Sequence, residues 1–469
     1  MAVREAMALI GLITCVLLQQ GFGSPTASSL TATPSASTVT EQSTKGNAAA
    51  NRKVSEVIKV PGWPDIAAKY PLAYAIKANG MVYASGLTGM AMHNGSMVPG
   101  GIEPQTMQTL INIQELLKAA GARMEDVVRC SVSLRNIKMD FAKMNGVYSM
   151  FWPKDPPARV AVEVGSLAGE ALVEIQCDAA LPDQGRKVVH VPGLPDLKGF
   201  PLSFATVAGG MVYLSGSQGV NMTTMKPVAG GVGPETTQTL ENLKLAIQAA
   251  GSSLDLVVGC SVSLRKISDS AAMNKAYEAF WPKDGALGGR LPSRVCVEVS
   301  NLAGAGQVEI ECTAAVEGLP PAKAPKAIKV PSWPELPFPF STAVTASGMA
   351  YISGNQGIDF HESKLVPGGI GPETTQTMLN IKQAVQASGG DLADVVACEV
   401  SLANMEDFVE FNKAYAPFWP KDPPSRITVQ VGALLGGAAV EIQCLAALPA
   451  TADEVLAAEE TLDRLAVVV

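Results

Sequence analysis

The sequence predicts an α+β fold made three times over, with helices on one face of an antiparallel sheet in each of three tandem copies. Three observations lead there. Four sequence blocks recur in the same order at a domain-sized spacing. Within each recurrence the apolar period alternates between two residues and about 3.6. Glycine and proline fall at matching places each time.

The first block reads VYASGLTG (Val82–Gly89), VYLSGSQG (Val212–Gly219) and AYISGNQG (Ala350–Gly357). The second begins at Pro104, Pro234 and Pro372, as PQTMQTLINI, PETTQTLENL and PETTQTMLNI. The third ends in FWPKD in every copy and starts at Met144, Met273 and Phe411. The fourth pairs ARVAVEV, SRVCVEV or SRITVQV with LVEIQC, QVEIEC or AVEIQC. From Asn145 to Asn274 to Asn412 the period is 129 and then 138 residues, long enough for each copy to close its own core. The copies are placed at 54–183, 187–318 and 326–449, with Pro182–Lys187 and Leu319–Lys326 as short linkers.

Each copy opens with two strands meeting at a two-residue turn: Asn79-Gly80, Gly209-Gly210 or Ser347-Gly348. The first two pairs tolerate the positive φ of a hairpin turn. A Gly/Pro-rich loop leads to a helix with Pro104, Pro234 or Pro372 in its first turn, which ends at Gly121, Gly251 or Gly389. A long strand follows (Val127–Leu134 in copy one), then an amphipathic helix running to Phe-Trp-Pro, then two alternating strands. The order is β-β-α-β-α-β-β.

Alternation in the last two strands sets a polar row against an apolar one. Arg159 and Glu163 oppose the valines between them; Glu174, Gln176 and Asp178 oppose Val173, Ile175 and Cys177. The apolar rows are expected beneath the helices. The charged rows then face water or another copy, and three linked copies suggest sheet-to-sheet packing about a threefold-like axis.

Composition narrows the function. The 469 residues are 47% hydrophobic and 17% charged, enough apolar content for true cores. No run of about 18 apolar residues exists to span a membrane. A net charge of −8, from 35 basic and 43 acidic residues, offers no bulk basic excess for nucleic acid. His93, His190 and His361 belong to no metal-ligand spacing, so no metal is expected.

Residues 1–23, with the apolar run Ala6–Leu18 behind Arg4, read as a signal peptide directing the chain to the secretory pathway. A plastid or mitochondrial transit peptide is the alternative, since Thr26–Thr44 is rich in Ser and Thr and poor in acids. Residues 24–53 form a Ser/Thr-rich linker and 450–469 an acidic tail. Cys130, Cys260 and Cys398 share one repeat position; Cys177, Cys312 and Cys444 share another. They are either buried free thiols or, if their strands are neighbours in an oxidising compartment, a disulfide in each copy. Sequons begin at Asn94 and Asn221.

The SG-x-x-G turn, the Asn three residues ahead of Tyr-x-x-Phe, the Arg-x-x-Val-x-Val strand and the Val-Glu-Ile strand together resemble the RidA/YjgF reactive-intermediate deaminase family. The likeness covers about Val54–Leu448, three times. It implies a chorismate-mutase-like fold, here an intramolecular pseudo-trimer with a ligand cleft at each interface between copies. It also implies an enamine/imine deaminase that hydrolyses 2-iminobutanoate- or 2-iminopropanoate-like acids to 2-oxo acids and ammonia. No cofactor or metal is implied, and no partner beyond the small acids.

Residue by residue, the family's carboxylate-gripping arginine falls on Arg159, Arg294 and Arg426, and its water-handling glutamate on Glu174, Glu309 and Glu441. Arg and Glu stand 15 residues apart in every copy, although copy two carries six extra residues before its arginine. Substrate-binding positions fall on Ser85, Gly86, Ser215, Gly216, Ser353, Gly354, Asn145, Asn274, Asn412 and Cys296. A guanidinium fork orients a carboxylate, a glutamate deprotonates water, and backbone N–H groups at the SG turn are expected to bind developing charge.

The chain departs from the family at three points. The family tyrosine is replaced by Leu72, Leu202 and Phe340. The cysteine two residues after the arginine survives only as Cys296, against Ala161 and Thr428. Gln430 stands where the other copies have Glu163 and Glu298. Two other functions stand beside this one: a non-catalytic binder of small carboxylates, which keeps the arginines without the tyrosine, or a ribonuclease-like member as the resemblance also allows, which the acidic charge disfavours. On the plainest structural reading, each arginine is an ion-pair partner across the interface and each asparagine a cap.

Overall fold

Each copy is built on one sheet with two helices across one side, in a computed structural model that describes residues 55–450 except 195, 196, 198, 336 and 337. The expected leader, linker and all but the first residue of the acidic tail lie outside those residues. In copy one, strands Ala75–Ala78 and Met81–Ala84 form the opening hairpin. Its turn holds Asn79 at φ 47° and Gly80 at φ 74°. Copy three makes the same turn with Ser347 at φ 50°.

Met81–Ala84 pairs with the last strand, Val173–Ala180, which pairs in turn with Val127–Leu134. Val127–Leu134 then pairs with Ala158–Glu163 in parallel, and the equivalent strands of the other copies do the same. The wholly antiparallel expectation fails at this pair because helix Ile137–Phe151 returns the chain to its starting end, as a crossover connection must. Copies two and three keep the strand order. Sequence reading also missed a short edge strand outside each hairpin: Ser55–Val57, Lys187–Val189 and Lys326–Ile328.

Helix Ile102–Ala120 buries Ile102, Thr106, Leu110, Ile113 and Leu117 along one stripe against the sheet and stops at Gly121, φ 85°. Beneath it Cys130 lies opposite Cys177, and the two are disulfide-bonded. Cys260–Cys312 and Cys398–Cys444 repeat the bond, deciding between the two expectations for these cysteines. Cys296 is a buried free thiol.

The other faces of the three sheets meet one another. Met81, Tyr83 and Val128 from copy one pack in a single apolar cluster with Met211, Tyr213 and Val258 from copy two and Val344, Met349 and Val396 from copy three. Leu287, inside the extra segment of copy two, joins it. The Tyr83 hydroxyl donates to Met349 Sδ (3.8 Å) and that of Tyr213 to Met81 Sδ (3.9 Å). Backbone bonds tie the sheet ends: Gly165 N–H to Gln430 O at 2.8 Å, Gly432 N–H to Glu298 O at 2.8 Å, and Ser300 N–H to Glu163 O at 2.9 Å. Copy one therefore bonds copies two and three, and those two bond each other, so the ring closes.

One face assignment from the sequence is reversed. Glu174, Gln176 and Asp178 do point away from the helices and are buried between copies. On the arginine strand, however, the polar row lies on the helix side. Ala161 belongs to the helix-covered core, and Glu163 accepts the N–H of Ile137 at the helix start (2.8 Å). Val160 instead faces the next copy, against Gly216. The interface is apolar and needs the valines, while the helix supplies partners for the polar row. Gln430 accepts from Met405 N–H (3.0 Å) as Glu163 and Glu298 do from Ile137 and Ile267, so an amide serves as well as a carboxylate there.

At the centre is a small cavity of about 60 Å³ lined by Arg129, Asp178, Glu311, Glu399 and Tyr351, among others. Arg129 pairs with Asp178 at 2.8 Å. Burial pushes the Glu311 carboxyl up to about 8, against the pull of Arg129.

Candidate active site

Each SG serine clamps two copies together. Ser85 Oγ donates to the Ala73 carbonyl (2.5 Å) and accepts from the Arg426 N–H (2.8 Å). Ser215 joins Ser203 O (2.5 Å) to Arg159 N–H (2.8 Å), and Ser353 joins Ser341 O (2.6 Å) to Arg294 N–H (2.8 Å). The serines therefore position the arginine strand of the preceding copy. Two of the glycine N–H groups are also occupied: Gly86 donates to Arg426 O (3.2 Å) and Gly216 to Arg159 O (3.1 Å). For these two the expectation that they bind developing charge is corrected, because an N–H spent on an interface carbonyl has no proton left for a ligand.

The glycines are required for another reason. A Cβ on Gly86 would run into Glu174 Oε1 and Ile427, one on Gly216 into Glu309 Oε1 and Val160, and one on Gly354 into Glu441 Oε1 and Val295. Each glutamate thus lies directly over its own copy's SG turn, alongside the arginine strand of the neighbour. Three clefts result. Arg159 meets Ser215, Gly216 and Glu309; Arg294 meets Ser353, Gly354 and Glu441; Arg426 meets Ser85, Gly86 and Glu174. The arginine always comes from one copy and the glutamate from the next.

All three arginines are 3% exposed, yet none forms an ion pair among the described residues. Aromatic rings hold them instead. The Arg159 guanidinium lies 4.9 Å from the Tyr148 ring centre, Arg294 5.0 Å from Tyr277, and Arg426 5.1 Å from Tyr415. Asn145 accepts from Arg159 Nη1 at 2.7 Å. Nε of Arg159, and Nε and Nη1 of Arg294 and Arg426, have no protein partner, and neither do Oδ1 of Asn274 and Asn412. A buried guanidinium without a carboxylate is costly unless an anion completes it. The ion-pair reading of the arginines therefore fails; Asn145 bonds its arginine, and Asn274 lines the same cavity as Arg294.

The glutamates are equally buried, at 6% exposed each. Burial pushes Glu174 up to about 8, partly offset by Arg426. It pushes Glu309 and Glu441 up to about 7, where Gln218 (3.2 Å) and Gln356 (3.0 Å) donate to the carboxyl. Copy one has Thr88 at that position, and Glu174 Oε2 has no partner. Such a group takes a proton from water and returns it near neutral pH.

The cleft between copies two and three is a cavity of about 640 Å³ containing Arg294, Cys296, Asn274, Ser353, Gly354 and Glu441, with Phe340 over Arg294 at 5.2 Å. Burial holds the Cys296 thiol up at about 12. Between copies one and two, an open groove of about 1110 Å³ is lined by Asn145 and Leu202 but not by Arg159 or Glu309.

Sequence reading missed the tyrosines beneath the arginines and the glutamines on the glutamates. Both were visible as repeats: a tyrosine three residues after each asparagine, and SG-x-Q-G in two copies against SG-x-T-G in the first.

The profile of the family described as endoribonuclease L-PSP matches residues 64–181, 200–316 and 333–448. A RutC family protein of Pyrococcus horikoshii is 41% identical over 109 residues, which is 23% of this chain and 86% of that protein. The 2-iminobutanoate/2-iminopropanoate deaminase of Bos taurus is 38% identical over 128 residues, 27% of this chain and 89% of that enzyme. The crystal structure of RidA from an Antarctic Psychrobacter is 34% identical, covering 26% of this chain and 98% of that one, with a TM-score of 0.25.

Proposed function

Since the chain belongs to the endoribonuclease L-PSP family, we propose that it is an enamine/imine deaminase, hydrolysing 2-imino acids such as 2-iminobutanoate and 2-iminopropanoate at the clefts between its copies. The observation that carries this is the buried, unpaired guanidinium set beside a buried glutamate of near-neutral pKa, three times. A carboxylate on the arginine completes its hydrogen bonds and fixes the C=N carbon. The glutamate takes a proton from water as the water oxygen bonds to that carbon, and passes it to the imine nitrogen to give the amino alcohol. It then takes the hydroxyl proton and hands it to the amine nitrogen as the C–N bond breaks, so that ammonia leaves and the 2-oxo acid remains.

A guanidinium 3% exposed at the base of a cleft suits a small acid better than a polynucleotide backbone, which favours this reading over RNA cleavage. Imines generated in situ from amino acids supply the test. The protein is expected to accelerate ammonia release, and Arg159→Ala, Arg294→Ala and Arg426→Ala together to abolish it. Stabilisation by 2-oxo acids without turnover would point instead to a non-catalytic binder. The compartment proposed is secretory, supported by three disulfides and by exposed Asn94 and Asn221 in sequons. Expression in a secretory host should add glycan mass at both asparagines.

A further inference from the structure

We infer that the cleft between copies two and three is specialised for 2-imino acids with a large aromatic side chain. The inference rests on the deaminase reading for the reaction, but its evidence is a difference in the walls of the cleft. Arg294 fixes where the carboxylate sits, so the substrate side chain must extend away from it within the same cavity of about 640 Å³. The walls there are Trp333, Phe338, Phe340, Phe360, Ile358 and Leu435.

These rings are ordered against one another. Phe338 and Phe340 stack with centres 5.6 Å apart and planes 4° from parallel, and Trp333 lies 3.9 Å from Phe360. Phe338 is 46% exposed, an apolar ring at the cleft that a bound apolar group would cover. Trp333 keeps an aromatic counterpart in Trp63, and Phe338 in Tyr70 and Phe200, but at three wall positions the other copies place smaller or more flexible groups. Phe340 is matched by Leu72 and Leu202, Phe360 by Met92 and Met222, and Leu435 by Ala168 and Ala303. A flat ring on the substrate finds edge and face partners only among fixed aromatics, whereas flexible Met and Leu adapt to any short chain. The backbone and the Arg/Glu pair are the same in the three clefts, so these wall residues set the side-chain preference.

The test uses the full chain carrying Arg159→Ala and Arg426→Ala, which leaves Arg294 as the one carboxylate anchor among the three. Binding of phenylpyruvate and of 2-oxobutanoate, the stable products, is followed by tryptophan fluorescence, and ammonia release from the matching imines is followed in parallel. Phenylpyruvate is expected to bind at least about tenfold more tightly than 2-oxobutanoate. Adding Phe340→Leu, Phe360→Met and Leu435→Ala should remove that ratio while 2-oxobutanoate binding persists.

A reciprocal protein guards against misfolding. Arg159→Ala and Arg294→Ala leave only the cleft of Arg426, into which Leu72→Phe, Met92→Phe and Ala168→Leu should introduce the preference. Equal binding of the two acids at the Arg294 cleft overturns the inference, as does a ratio that ignores both wall exchanges. A phenylpyruvate preference without ammonia release upholds the aromatic cleft and overturns the deaminase reading. Turnover with no aromatic preference does the opposite.

Discussion

The clefts and the centre of the molecule are made from the same strands, but they treat repetition in opposite ways. At the clefts Arg, Glu and Ser-Gly are present three times with the same contacts. At the centre, one repeat position holds Arg129, Gly259 and Ala397, another Asp178, Thr313 and Leu445, and a third Ser131, Ser261 and Glu399. In a symmetric trimer any residue near the axis meets two copies of itself, and three like charges there would repel. Fusing the copies removes that restriction. One Arg129 can then face Asp178, Glu311 and Glu399 from three different copies. The clefts never experienced the restriction, because each takes a single arginine from one copy and a single glutamate from the next.

The largest expected effect breaks the clefts alone. Glu174→Gln, Glu309→Gln and Glu441→Gln together should lower ammonia release by about 10²–10⁴-fold. Binding of 2-oxo acids should survive, since the arginines remain.

Next, Arg129→Ala breaks the centre alone. It strands Asp178, which is 3% exposed, beside Glu311 and Glu399, so unfolding should become easier by about 3 kcal/mol in a denaturant titration. Turnover by the folded protein should hardly change.

Gly216→Ala joins the two regions, because its Cβ would press on both Glu309 and Val160. A stability loss of about 1–3 kcal/mol is expected, together with silencing of that cleft only.

The smallest effect distinguishes one cleft from another. Thr88→Gln gives Glu174 the donor that Glu309 and Glu441 already have. Its pKa should fall from about 8 toward about 7, as hydrogen bonding favours the charged form. With Arg159→Ala and Arg294→Ala silencing the other clefts, the midpoint of the rising pH–rate curve should move down accordingly. A carboxyl raised above its unfolded pKa of about 4.5 stabilises most below that pH, and its contribution is lost as pH rises through about 7 to 8. The wild-type melting temperature should therefore fall between pH 5 and 8, and the triple Glu→Gln protein should show a shallower fall.

Local patterning made the fold legible. Turn glycines, helix stops and strand alternation recur three times, so an error in one copy is corrected by another. Pairing direction was not legible, because a strand's sequence is silent on whether its neighbour runs parallel. The face of the arginine strand was misread because alternation reveals two rows without saying which lies under the helices. Here the apolar row is needed at an interface that only the assembled copies create. The cysteine pairing depended on register, which placed Cys130 opposite Cys177. Arg and Glu were found by spacing and resemblance, but not that Arg159 works with Glu309 rather than with Glu174. That separation in space exists only once the ring has closed.

Whether each cleft takes its arginine from one copy and its glutamate from the next is decided by comparing two double variants in one ammonia-release assay. Arg159→Ala with Glu309→Gln damages a single cleft, so the pair should be no slower than the worse of its two single variants. Arg159→Ala with Glu174→Gln damages two clefts, so its losses should add. If the additivity is reversed, with the same-copy pair behaving as one site and the cross-copy pair as two, the assembly described here is wrong.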